Sequence, residues 1–166
     1  MASRNGWIAR ALDSYERPLA RYAHRLVGDP ETARDVVQDC FLRLCRQRPA
    51  KVQNHVRQWL FTVCRNRSLD HLRKTGRMDL LEDREVITQE TPAQQVEHEE
   101  QRNLVATSIT RLPHRQRELL HLKFVEGFSY RQIAAITKLS ISNVGFILHT
   151  ALQTLRTQLA PARSES

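Results

Sequence analysis

The chain has 166 residues, enough for one ordinary domain or two small ones, and it carries 26 Lys and Arg against 18 Asp and Glu for a net charge of +8. No apolar run is long enough to span a membrane, and Met1 to Trp7 lacks the apolar core of a signal peptide, so membrane insertion is not expected. The charge is uneven: eight acids face a single Arg84 between Asp79 and Gln101, which gives that segment −7, leaves +15 elsewhere, and suggests two polyanion-facing modules around a solvated connector.

The pattern is all-α, with only five glycines and no convincing alternation of apolar and polar residues. A first helix runs from about Gly6 to Val27. Gly28-Asp29-Pro30 breaks it, with Asp29 as cap of the next helix and Pro30 at its first position. The second helix lines up Ala33, Val36, Val37, Cys40, Phe41 and Leu44 as an apolar stripe and leaves Asp35, Gln38, Asp39, Arg43 and Arg46 outside. Acids beside an apolar stripe suit either a basic partner helix or plain solvent.

Gln47 to Asn54, with Pro49, reads as a loop. Its polar stretch from Arg48 to His55 is flexible enough to hold an unstacked base. A third helix spans roughly His55 to Lys74. Trp59, Leu60, Val63 and Cys64 open its buried side, continued by Leu69 and Leu72, while Arg57, Arg65, Arg67, Arg73 and Lys74 make the other side basic. Such a face suits a nucleic-acid strand, whose phosphates the cations neutralise. The three helices should form one small bundle.

The acidic connector from Met78 to Glu90 has no clean period. Thr91-Pro92-Ala93-Gln94 starts a further helix that runs to about Leu112 and ends before Pro113. Then comes the most specific pattern. Ser129-Tyr130-Arg131-Gln132 has the form of a capping box, with Phe128 and Ile133 placed as a hydrophobic staple. Ser140 can cap the next helix, with Leu139 and Val144 as its staple. Only Lys138, Leu139 and Ser140 remain to turn the chain, so the pair reads as a helix-turn-helix that fits the DNA major groove. In its last helix Val144, Leu148, Ala151, Leu155 and Leu159 form the inner stripe, joined by Ile147 and Leu152. Ser142, Asn143, Phe146, His149, Thr150 and Gln153 face outward, where early positions meet base edges and Arg131, Lys138 and Arg156 can hold phosphates from the flanks. The tail after Ala160 is short and polar.

Cys40, Cys45 and Cys64 lack the paired spacing of a zinc site and read as reduced, buried thiols of a cytoplasmic protein. No phosphate-gripping glycine loop, nucleophile elbow or His-Glu zinc motif occurs, so no enzyme activity, metal, cofactor or small-molecule substrate is expected.

These residues resemble the extracytoplasmic-function sigma factors, the small two-domain promoter-recognition subunits of bacterial RNA polymerase. The run from Ala33 to Leu44 resembles the family's polymerase-binding helix, and Trp59 to Arg73 its promoter-melting helix. Leu112 to Glu118 and Phe128 to Ala134 resemble the start and first half of its C-terminal helix-turn-helix. The resemblance implies an N-terminal helical domain over 7–77, an acidic linker over 78–90 and a helix-turn-helix domain over 91–160. It implies that Asp35, Gln38, Asp39, Phe41 and Leu42 sit against the polymerase clamp, and that the Arg48 to His55 segment captures a flipped base of the −10 element. Asn54, Arg57, Asn66, Arg67, Asp70, Arg73 and Lys74 would serve that element and its melting strand. Arg131, Ser142, Asn143, Phe146, His149 and Thr150 would serve the −35 element, with a further contact of this domain to the polymerase flap. The connector would thread toward the RNA exit path. An anti-sigma partner is left open.

One departure stands out. Family members usually carry basic residues along the recognition helix, and here three such positions are Gly145, Ile147 and Thr150. Fewer phosphate contacts should weaken the electrostatic part of −35 binding and flatten its salt dependence. Gly145 allows closer approach of another backbone, DNA or protein, and Phe146 can touch a thymine methyl or an apolar partner. The alternatives to a sigma factor are a helix-turn-helix regulator that binds operators alone and an adaptor whose Phe146 surface binds protein.

Overall fold

The computed structural model describes residues 5–78 and 97–160. The chain divides into two compact units, one made mainly of residues 1–80 and the other mainly of the residues after them, with 134–138 grouped in the first, and every described element is helical.

The N-terminal unit contains α1 (Gly6–Val27), α2 (Pro30–Cys45), the short α3 (Pro49–Val52) and α4 (Val56–Lys74). Helices α1, α2 and α4 pack pairwise. Their core is made of fully buried Leu19, Tyr22, Leu26, Leu44, Leu60, Phe61 and Leu72, with the Tyr22 and Phe61 rings 5.3 Å apart. Gly28 ends α1 in a left-handed conformation (φ 79°) that glycine adopts without strain, its N–H donating to the His24 carbonyl at 2.8 Å. The next residue starts α2: the Asp29 carboxylate accepts from Thr32 N–H at 2.9 Å and from the Thr32 hydroxyl at 2.6 Å, with Pro30 in the first turn.

Several expectations change here. Gln47 to Asn54 is not an open loop. Pro49 begins α3, buried Val52 anchors it, and a 3₁₀ turn over Gln53–His55 carries the chain into α4. The buried side of α4 is Leu60, Phe61, Cys64, Ser68 and Leu72, while Trp59, Val63 and Leu69 are only half-buried. Cys45, at the end of α2, is exposed. Cys40 and Cys64 are buried as expected, and a hydrogen bond between them, together with burial, pushes the Cys64 thiol well above the ordinary thiol range.

The connector and the helix start at Thr91-Pro92 fall largely outside the described residues. The C-terminal part of the chain contains α5 (Glu97–Thr110), α6 (His114–Leu120), α7 (Tyr130–Thr137) and α8 (Ile141–Leu159). The expected helix end near Leu112 comes slightly earlier, because the residues ahead of Pro113 leave the helical region. Helix α8 packs against α5 and α6. Helix α6 continues into a π-helical turn, His121–Val125. That turn carries His121, whose Nε2 lies 3.2 Å from Glu126 Oε1 with both side chains almost wholly buried, and Gly127 (φ 74°) then redirects the chain into α7. A buried carboxylate needs such a partner, because its desolvation is otherwise costly.

Candidate nucleic-acid interface

The helix-turn-helix is built by local chemistry. Ser129 N–H donates to Gln132 Oε1 at 2.9 Å while Gln132 N–H donates to Ser129 Oγ at 3.2 Å, the two halves of a capping box. Phe128 and Ile133, the residues of its staple, are both fully buried. Ser140 Oγ accepts from Asn143 N–H at 3.1 Å to start α8, with Val144 fully buried and Leu139 half-buried behind it. Between the helices Lys138 adopts φ 62°, and α7 and α8 bend through 104°, the angle of a helix-turn-helix.

This geometry fixes what α8 presents. Val144, Leu148 and Ala151 are buried; Ser142, Asn143, His149 and, at 68 % exposure, Phe146 point outward. Thr150 is half-buried, and its hydroxyl donates to the Phe146 carbonyl at 2.9 Å, so its proton is already used within the helix. The neighbour that Gly145 admits is intramolecular. A Cβ there would lie 3.5 Å from Tyr130 Cε2, so the Tyr130 ring rests against α8 at this position. Lys123 Nζ sits over the same ring, 5.2 Å from its centroid, and brings a cation to a stretch of α8 that has none. Sequence reading gave Tyr130 and Lys123 no role, because their meeting depends on the π-helical turn and no sequence period signals it.

The N-terminal residues expected to serve the −10 element lie on the surface around α4. Asn54, Arg73 and Lys74 are exposed, and Arg57, Asn66, Arg67 and Asp70 are half-buried. Arg57 lies over the Phe61 ring, 5.9 Å from its centroid. On α2, Asp35 and Gln38 are exposed, Asp39 is half-buried, and Leu42 is 56 % exposed. Phe41 is the exception, with only 8 % exposed and its ring in the core beside the apolar stripe. It supports the shape of α2 and presents almost nothing to a partner. The α2 and α4 sets also meet: a cleft of about 180 Å³ between the helices is lined by Thr32, Asp35, Asp39, Arg67, Asp70, His71 and Lys74. No sequence period links Thr32 and His71, since only the packing of α2 on α4 puts them on one surface.

A basic helical unit joined to a capped helix-turn-helix defines a class, the promoter-recognition factors. Residues 11–78 match Sigma-70 region 2, and residues 102–155 match Sigma-70, region 4. The ECF RNA polymerase sigma factor SigL of Mycobacterium tuberculosis is 32% identical over 158 residues, which cover 92% of this chain and 89% of that protein. SigM of Bacillus subtilis, another ECF sigma factor, is 28% identical, covering 86% of this chain and 88% of its own. Among solved structures, the sigma factor RpoE bound to the anti-sigma factor NepR from Bartonella quintana shares the fold with a TM-score of 0.61 at 23% identity, over 92% of this chain and 96% of that one. CnrH in complex with the cytosolic domain of CnrY does so at 0.60 and 22%, over 93% of this chain and 88% of that one. The chain belongs to the ECF RNA polymerase sigma factor family, and its function is that of a sigma factor in transcription initiation.

Proposed function

We propose that this chain works in the cytoplasm by docking on core RNA polymerase, directing it to a promoter and helping to open the duplex, without catalysing any reaction. The observation that carries this reading is the order of parts on one chain: a helix with acids beside its apolar stripe, a helix with a basic face, and a capped helix-turn-helix. Asp35, Gln38, Asp39 and Leu42 form the docking face for the clamp. Asn54, Arg57, Asn66, Arg67, Asp70, Arg73 and Lys74 serve the −10 element and its melted strand. Arg131, Ser142, Asn143, Phe146, His149 and Thr150 serve the −35 element, where the outward start of α8 meets base edges. The working bounds are 7–77 and 91–160 for the two domains, with 78–90 as connector, and the second domain also meets the flap. Melting needs no hydrolysis, since capture of unpaired bases and phosphates offsets the cost of unpairing. An anti-sigma protein is a further partner of this reading, in keeping with the complex in which the RpoE neighbour was solved.

The test is in vitro transcription with core polymerase and a promoter library, paired with a docking variant. Leu42 is exposed, so Leu42→Glu should leave the helical circular dichroism and melting temperature unchanged. It should weaken comigration with core polymerase by about tenfold or more, the loss expected when a buried apolar contact becomes a buried charge. Undiminished comigration removes Leu42 from the docking face, and failure of the wild-type chain to yield start-specific RNA overturns the reading as a whole.

A further inference from the structure

Asp39 stands where the two proposed surfaces of the N-terminal unit meet. It belongs to the docking face of α2, yet its carboxylate reaches across to α4. Its Oδ2 lies 2.6 Å from Arg67 Nε and 3.0 Å from Arg43 Nε. Arg67 belongs to the strand-binding set, and its Nη1 lies 3.6 Å from Asp70 Oδ2. One acid of the docking set thus holds one cation of the DNA set, at the edge of the cleft that Asp35, His71 and Lys74 also line.

The fold does not depend on this pair. Helices α2 and α4 are held by their buried apolar faces, and the two partners are 35% and 32% exposed, where an ion pair adds little to stability. A contact weak for folding but placed across two binding surfaces is readily exchanged. A cation from a protein partner can replace Arg67 on Asp39, and a DNA phosphate can replace Asp39 on Arg67. Each group keeps an opposite charge before and after, so neither is left desolvated and unpaired.

We infer that Asp39 and Arg67 form a latch that couples polymerase docking to strand capture. In the free chain the Asp39 carboxylate occupies Arg67 and lowers its affinity for a backbone phosphate. A polymerase cation that engages Asp39 releases Arg67 to the DNA. Linkage makes the effect reciprocal, so DNA on Arg67 also frees Asp39 for the polymerase. The inference rests on the site assignments proposed above and adds the connection between them.

The experiment uses the intact chain and a fluorescent single-stranded oligothymidine, a probe of phosphate binding alone. Asp39→Asn should tighten binding about threefold, within the range of a partly exposed ion pair. Asp35→Asn is the control: it removes the same charge from the same helix, but Asp35 makes no ion pair among the described residues, and its effect should be much smaller. In an Arg67→Gln background the gain from Asp39→Asn should vanish. Arg67→Gln alone approaches the latch from the other side and should raise affinity for core polymerase in the absence of DNA by a similar factor. Equal gains from Asp35→Asn and Asp39→Asn reduce the effect to bulk charge and overturn the latch. A gain that persists without Arg67 overturns it as well. Loss of polymerase binding by the wild type would overturn the functional reading and with it the docking half of the latch, while the oligothymidine measurement, which contains no polymerase, still decides by itself whether Asp39 masks Arg67.

Discussion

Lys138 is the residue where local geometry and residue type disagree. Its φ of 62° lies in the left-handed region, where a side chain costs about 1 kcal/mol or more because Cβ crowds the carbonyl oxygen. Asn, Asp and Gly relieve this cost and lysine does not, so the turn between α7 and α8 is held in place by its surroundings: the Ser140 cap on one side and the buried Ile133 and Val144 on the other. Lys138→Gly should therefore raise stability by about 0.5–1 kcal/mol, part of the relief being offset by the greater freedom of glycine in the unfolded chain. Lys138→Ala keeps the Cβ and should not. Urea melts of the three full-length proteins decide the matter, and a Gly variant no more stable than the wild type would remove strain from this account of the turn. The same residue is a cation beside the recognition helix, so glycine would trade the strain for a charge that the proposed DNA contact can use.

At the scale of elements, the sequence made plain whatever is set by nearest neighbours. The bounds of α1, the Asp29 cap and Pro30 start of α2, and both caps of the helix-turn-helix follow from residues within four positions of each other, and the structure reproduces them. What it hid depends on packing at a distance. Pro49 signals a break and equally a first helical turn; buried Val52 decides for the turn. Phe41 sits at the border of the apolar stripe, and only the α1–α2–α4 packing shows that it faces inward while Leu42 faces out. The Asp39–Arg67 pair joins residues 28 positions apart, beyond any periodicity. The start of α2 carries a pH signature. Bonds from the Thr32 hydroxyl, then from its backbone N–H, hold the Asp29 carboxyl below its ordinary value. A lowered folded value means that the cap's charged contribution is complete above the unfolded titration near pH 4 and is lost as pH falls through the folded one. The stability gap between wild type and Asp29→Ala, read from urea melts, should be constant from pH 7 to about pH 5 and should shrink toward pH 3. A gap that stays constant to pH 3 would mean that the charge of Asp29 adds nothing to the cap.

For the whole molecule the distribution of charge sets how the halves divide the work. Residues 5–78 hold fifteen Arg and Lys against seven Asp and Glu, a net +8, whereas residues 97–160 hold eight against five, a net +3. The electrostatic attraction to DNA is thus concentrated in the half proposed to meet the melted strand. On the proposed reading the helix-turn-helix would discriminate through side chains such as Asn143 and Phe146, because hydrogen bonds and apolar contacts at base edges carry sequence information that phosphate contacts lack. Among the outward positions of α8 there is no permanent cation before Arg156. Restoring one should therefore be visible. Thr150→Arg places a guanidinium on the proposed DNA face, and each added duplex phosphate contact steepens log K against log salt by about 0.9. Holoenzyme carrying this variant should bind a promoter fragment more tightly at low salt and lose the advantage as salt rises, with the slope steeper by about that amount. Thr157→Arg adds the same charge near the end of α8, away from the early positions that enter a groove, and should change the slope much less. Equal slopes for Thr150→Arg and the wild type would place α8 off the DNA, and Phe146, the most exposed of its large apolar residues, would then belong to a protein contact.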